Sequence, residues 1–237
     1  MQAHIHHHPA QEHYTMEVST VPSPVRAGEP ATLILNPVNH HRPTSVTLEQ
    51  IHEQYLHLLI VSEDLAYFRH EHPQPIGTRY EHMHLFPSGG KYILFMDFTP
   101  LGSEQQLSRY ELQVEGETRE RQPLIVQPTV WQEQGYSLYR PTDQPLVSGQ
   151  MLELTLLAEK SGRPIRDLDY YLEALAHVVI IHENTLDYLH VHPLESSDHG
   201  PQIKLHTLFP QAGNYKMFVQ FSHLGQVRTA SFVLPVN

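Results

Sequence analysis

The sequence predicts an all-β chain, a tandem duplication of an immunoglobulin-like β-sandwich, and three observations predict it. Segments such as ATLIL, YLHLLIV, KYILFMDF, LELTLL, AHVVII and YKMFVQF are short, rich in β-branched and aromatic residues, and bounded by Gly, Pro, Asn or Asp. No stretch carries a helical apolar period for longer than a turn or two, with LEQIHEQYL and LDYYLEAL the nearest to one. Most of the chain also repeats itself at an offset near 120 residues.

The repeat fixes the elements in order. GEPATLILN (Gly28 to Asn36) is answered by GQMLELTLL (Gly149 to Leu157), Arg42-Pro43 by Arg163-Pro164, and Leu48 by Leu168. LHLLIVSEDLAYFRHEHP (Leu56 to Pro73) is answered by AHVVIIHENTLDYLHVHP (Ala176 to Pro193). LFPSGGKYILFMDF (Leu85 to Phe98) is answered by LFPQAGNYKMFVQF (Leu208 to Phe221). Each copy holds roughly seven strands in about 105 residues, the size of an immunoglobulin-like sandwich. LEQIHEQYL and LDYYLEAL precede the same strand in the two copies, so a short helix or a wide loop is expected there. The division is then a His-rich flexible tail over 1–13, a first sandwich over 14–116, a charged, proline-flanked linker over 117–127 and a second sandwich over 128–237.

Composition excludes several classes. Lys and Arg total 15 against 26 acidic residues, a net charge of −11, and an acidic chain without a basic cluster is not expected to bind nucleic acid or an anionic membrane. The absence of cysteine removes disulfides, thiolate metal sites and a cysteine nucleophile. No apolar run approaches the roughly 20 residues of a transmembrane helix. MQAHIHHHPAQEHY lacks a basic region followed by an apolar one, so no signal peptide is expected in this chain.

What stands out is 20 histidines. His57, His70 and His72 recur as His177, His190 and His192, each set spaced as one histidine, twelve residues, then His-x-His-Pro. In an extended strand, residues two apart share a face, so His70 and His72 point together, as do His190 and His192. Pro73 and Pro193 end the pairing and hold the preceding residue extended. His57 and His177 open the most apolar strand of each copy, and twelve residues allow a strand, a loop and a return. Three neutral imidazoles are a suitable donor set for Cu(II), Zn(II) or Ni(II), with a fourth position left over. The expected metal ligands are therefore His57, His70, His72, His177, His190 and His192, with copper or zinc as the ion. The competing expectation is a structural cluster, each ring bonded to a backbone carbonyl, in a module for adhesion or protein interaction.

The other histidines do not follow the repeat. His82 and His84 share a strand face and form the best supplementary pair, while His206 falls out of register with both. His182 stands where the first copy has Ser62, and His223 where it has Pro100; all of these read as surface residues, and His40, His41 and His52 as loop residues. His4, His6, His7, His8 and His13 crowd the tail, where a short His-rich tract gathers metal without a fold. Glu63 and Glu183 recur and read as solvated turn residues, with orientation of an imidazole as the alternative. Enzyme signatures are missing: HEQYLH puts its histidines five apart rather than four, and no GxSxG, phosphate loop or dinucleotide fingerprint occurs. A non-enzymatic protein is expected, with a metal ion, and a protein partner or second copy, as its partners.

Through DLDYYLEALAHVVIIHENTLDYLHVHP (Asp167 to Pro193) and LFPQAGNYKMFVQFSHLGQVRTASFVL (Leu208 to Leu234), the chain resembles a family of mostly exported or lipid-anchored bacterial proteins described as secreted or heavy-metal (copper)-associated. The first copy carries the resemblance through LHLLIVSEDLAYFRHEHP and FPSGGKYILFMDFTPLG. The resemblance implies a cupredoxin- or copper-carrier-like sandwich, an extracytoplasmic location, periplasmic or secreted, and metal handling at the six repeated histidines. The chain departs from periplasmic copper carriers in lacking Met-rich ligands.

Overall fold

The fold was analysed in a computed structural model, which describes residues 13–42, 44–126, 130–142, 144–191, 193–194 and 196–237. The chain divides into two units, Met1–Arg121 and Gln122–Asn237. All the regular elements among the described residues are strands.

The first unit contains β1 (Tyr14–Val21), β2 (Val25–Arg26), β3 (Pro30–Asn39), β4 (Leu56–Ser62), β5 (Phe68–Glu71), β6 (Gln74–Ile76), β7 (Arg79–Leu85), β8 (Gly90–Phe98) and β9 (Gln106–Glu115). They form two sheets, ordered β1-β3-β7-β6 and β2-β9-β8-β4-β5. The second unit contains β10 (Val130–Glu133), β11 (Tyr136–Tyr139), β12 (Met151–Lys160), β13 (Arg163–Pro164), β14 (His177–His182), β15 (Tyr188–Val191), β16 (Gln202–Leu208), β17 (Gly213–His223) and β18 (Gln226–Val236). Here β10-β11-β12-β13, with β16 also on β12, faces β15-β14-β17-β18. Each unit is an immunoglobulin-like sandwich, and the domain occurs twice. Sheet partners repeat with it: β3 pairs β7 as β12 pairs β16, and β4 lies between β5 and β8 as β14 lies between β15 and β17.

Alternation along the strands builds the cores. In β3, Ala31, Leu33 and Leu35 turn inward between exposed or half-buried neighbours. They meet Leu56, Leu58 and Ile60 of β4 and Tyr92, Leu94 and Met96 of β8 in one hydrophobic cluster. β4 is buried on both faces, as its uninterrupted apolar run requires.

Of the short helix or wide loop expected before β4, the loop is what forms. Within it LEQIHEQYL makes a tight reverse turn, in which Ile51 and Gln54 exchange backbone hydrogen bonds of 2.8 and 3.1 Å. The two central residues, His52 and Glu53, have φ of 50° and 65°. The second unit repeats the turn between Tyr171 and Ala174, with Leu172 and Glu173 at φ of 56° and 65°. Positive φ at both central positions normally draws Asn or Gly, and non-glycine residues held there are strained by about 1–3 kcal/mol each.

One close approach depends on glycine. Gly89 donates its N–H to Glu117 at 2.8 Å, and a Cβ at position 89 would collide with the Gly116 carbonyl. The obstacle is backbone and cannot rotate away. Gly89→Ala is expected to destabilise the protein by about 1–3 kcal/mol in urea unfolding, with an unchanged m-value.

Candidate metal centre

The twelve residues between His57 and His70 make a hairpin. β4 runs to Ser62, residues 63–67 turn, and β5 returns along β4 with Leu59 opposite His70 and Leu58 opposite Glu71. One further step places His72 beside His57. The turn is organised by Asp64, whose buried carboxylate accepts from the Ser62 hydroxyl at 2.6 Å and from Arg119 at 2.6 Å. The sequence thus brings one imidazole from the inner strand and two from the edge strand to one end of the sheet.

The three rings form a compact triangle. Centroid separations are 5.3 Å for His57–His70, 5.2 Å for His57–His72 and 4.6 Å for His70–His72. Three imidazoles bound to one ion at about 2.0–2.1 Å, at angles of about 90–110°, hold their centres roughly 4.5–5.2 Å apart. His57 Nδ1 lies 3.1 Å from His70 Nε2, the spacing of neighbouring donors on one ion. His57 and His70 are 5% and 9% exposed, and His72 is half-buried.

Hydrogen bonding fixes the first ring. His57 Nε2 lies 3.2 Å from the Ile51 carbonyl, which only accepts, so the proton sits on Nε2 and Nδ1 carries the lone pair. His70 Nε2 then donates to it. On binding an ion, His70 would present Nε2 after moving its proton to Nδ1. A carbonyl bonded to the far N–H of an imidazole is the usual way in which a metal-ligating histidine is held. The carbonyl belongs to the strained turn at His52 and Glu53, so that turn aims the ring. His72 Nε2 is buried with no hydrogen-bond partner among the described residues.

Burial and neighbouring charge keep the His72 and His84 rings neutral. Burial, then the neighbouring His57 and the charge of His82, push the His72 imidazole down to about 4. Burial, then His82 and the Arg69 guanidinium, push His84 down to about 4 as well. Unfolded, each would titrate near 6.5, so between those limits the unfolded chain binds more protons than the folded one. The metal-free protein is therefore expected to hold its full stability above about pH 6.5. It should lose on the order of 2 kcal/mol per ring as the pH falls towards 4, measured by urea unfolding across that range.

In the second unit, His177 opens β14 and is buried, as is His57, the second residue of β4. The backbone of His190 stands opposite Val179, as that of His70 stands opposite Leu59. The His190 side chain and the whole of His192 lie outside the described residues, as do His4, His6, His7 and His8 of the tail.

Several side chains sit elsewhere than the sequence suggests. Glu63 and Glu183 follow the far ends of β4 and β14, about 20 Å from His57 and His177 along the strand, and do not orient the imidazoles. Glu63 pairs with Lys91 at 2.5 Å, and Glu183 accepts from Asn214 at 3.0 Å. His84, His182 and His223 are buried rather than surface residues. His182 Nδ1 accepts from the Thr185 backbone at 3.1 Å, and its ring packs edge-on against Tyr215. His223 bridges the Tyr136 hydroxyl at 2.9 Å and Asp167 at 3.2 Å. His206 is exposed, 3.5 Å from Glu153, and His40 and His41 are exposed as expected.

The family model that describes a domain of unknown function, DUF8832, matches residues 9–116 and again 132–237. The chain belongs to the DUF8832 family. It carries two DUF8832 domains, one in each structural unit. No curated protein matches it. Among solved structures it is similar to the three N-terminal domains of the highly immunogenic outer capsid protein (Hoc) of bacteriophage RB49, at 13% identity and a TM-score of 0.26 over 94% of this chain and 59% of that one. It is also similar to the fibronectin(III)-like modules of Clostridium thermocellum CbhA, at 14% identity and 0.25 over 95% and 94%. The Escherichia coli adhesin FdeC is matched at 17% identity and 0.28, over 94% of this chain and 64% of that one.

Proposed function

We propose that the chain is a non-enzymatic metal-binding protein that handles copper or zinc through one three-histidine centre in each DUF8832 domain. His57, His70 and His72 are the ligands in the first domain, and His177, His190 and His192 are the matching residues in the second. The observation that carries the reading is the 3.1 Å approach of His57 Nδ1 to His70 Nε2, with the His72 ring centre 5.2 and 4.6 Å from theirs. His72, held at about 4 by burial first, is neutral near pH 7, so an ion displaces no proton from it. An extracytoplasmic location, periplasmic or secreted, goes with it.

A second reading, an adhesion or protein-interaction module with structural histidines, accommodates the bond from His57 to the Ile51 carbonyl equally well. Thermal melting separates the two. An ion at about 100 times its dissociation constant stabilises the folded state by about 2.7 kcal/mol. Zn(II) or Cu(II) is then expected to raise Tm by about 5–10 °C, reversed by a chelator. A melting temperature indifferent to metal and chelator would leave the structural reading.

A further inference from the structure

On the opposite face of β5 the first unit carries a second group of donors. Glu71 alternates with His70 and His72, so its carboxylate points to the other side of the strand. There it meets His82 and His84, which project from β7 across the edge of the sandwich. One ligand atom from each of Glu71, His82 and His84 lies within 4.8 Å of the other two. Glu71 Oε2 is 3.7 Å from His82 Nε2, slightly longer than two donors on one ion require. His84 Nε2 lies 3.0 Å from the Tyr67 hydroxyl, which fixes its ring. The opposing charge is Arg69, 5.0 Å over the Tyr67 ring.

The second unit shows what this edge holds when packing alone decides. Register places Val191 where Glu71 stands, each the partner of the residue after the repeated histidine: Val178 after His177 in one unit, Leu58 after His57 in the other. Leu205 pairs Leu154 as His82 pairs Leu33, and Thr207 pairs Leu152 as His84 pairs Ala31. Val191 and Leu205 belong to the second hydrophobic core and are 5% and 0% exposed. In the first unit the same three positions are a carboxylate and two imidazoles, with His84 only 7% exposed. Burying such groups is unfavourable unless they are satisfied, and three adjacent replacements that all supply metal-ligand atoms are not a packing solution.

We infer that Glu71, His82 and His84 form a second divalent-cation site, present in the first domain alone and separate from the three-imidazole centre. Its donor set is one carboxylate and two imidazoles, which leaves positions open for water and suits first-row divalent ions. A carboxylate offsets part of the ion's charge, which an all-imidazole donor set does not.

The test replaces the site with its counterpart. Zn(II) is titrated calorimetrically into the intact chain and into Glu71→Val/His82→Leu/His84→Thr, which carries the second unit's own residues at this edge. The tail histidines are common to both proteins and cancel in the difference. One equivalent fewer is expected in the triple variant, with a native far-UV spectrum and a melting temperature without metal at or above the parent's. The His57→Ala/His72→Ala variant should keep that equivalent, so failure of the three-imidazole centre and failure of this site give different patterns. Equal stoichiometry in the parent and a folded triple variant overturns the inference. Should the triple variant not fold, Glu71→Gln replaces it: at least a tenfold weaker equivalent supports the site, and unchanged affinity overturns it.

Discussion

Substituting His57 and His72 with alanine is expected to remove one equivalent of bound Zn(II) or Cu(II) from the intact protein. The loss should be large because the imidazoles supply the whole proposed donor set of the centre. Removing groups that merely orient ligands typically weakens a metal by 10–100-fold, so losing two of three ligands should exceed about 100-fold. His70 would remain as a single imidazole, no better a ligand than a surface histidine. Calorimetric titration beside the parent reads the difference directly, with the far-UV spectrum confirming that β4 still pairs. Identical stoichiometry and affinity in a folded variant would reduce the triangle to packing.

Phe86→Ala is expected to cost about 3–5 kcal/mol, the largest effect on stability of any variant considered. Phe86 is 0% exposed and sits edge-on to Tyr92 at 4.8 Å and to His84 at 4.7 Å. Its removal opens a cavity whose walls are strand backbones and rings that cannot collapse into it. For a chain of this length that corresponds to a fall in Tm of about 6–20 °C. Phe209, against Tyr215 at 4.9 Å, fills the same place in the second unit, and Phe209→Ala should act alike. The neighbouring Leu85 is 54% exposed, and Leu85→Ala should stay within about 0.5 kcal/mol. Comparable losses for Leu85 and Phe86 would contradict the assigned faces of β7 and the residues after it.

The duplication, the strands and the hairpin joining His57 to His70 and His72 were legible because each rests on local pattern. Period-two alternation marks the strands, and the twelve-residue interval has room for a strand, a loop and a return. The turn at Ile51–Gln54 was not legible. Glu, Gln and Leu favour helix, and no glycine or asparagine announces the positive φ at His52 and Glu53; the long-range pairing of Leu48 with Pro100 and of β4 with β8 overrides propensity there. The buried places of His84, His182 and His223 were equally hidden. A histidine looks alike on either face of a strand until register is known, and register depends on partners far along the chain. Glu71 shows the same difficulty: as the x of His-x-His it looks incidental, and only β7, reaching the edge of the sandwich, gives it company.

Strand β5 has consequences for how an ion would come and go. It is four residues long, hydrogen-bonded to β4 on one side only, and followed at once by the short proline-bearing run into β6. Such a margin opens at far lower free energy than the central strands β4 and β8. If it peels back, two of the three imidazoles leave together while His57 stays anchored to its carbonyl. Exchange of cargo would then proceed at the rate of edge fraying, without melting the domain that holds it.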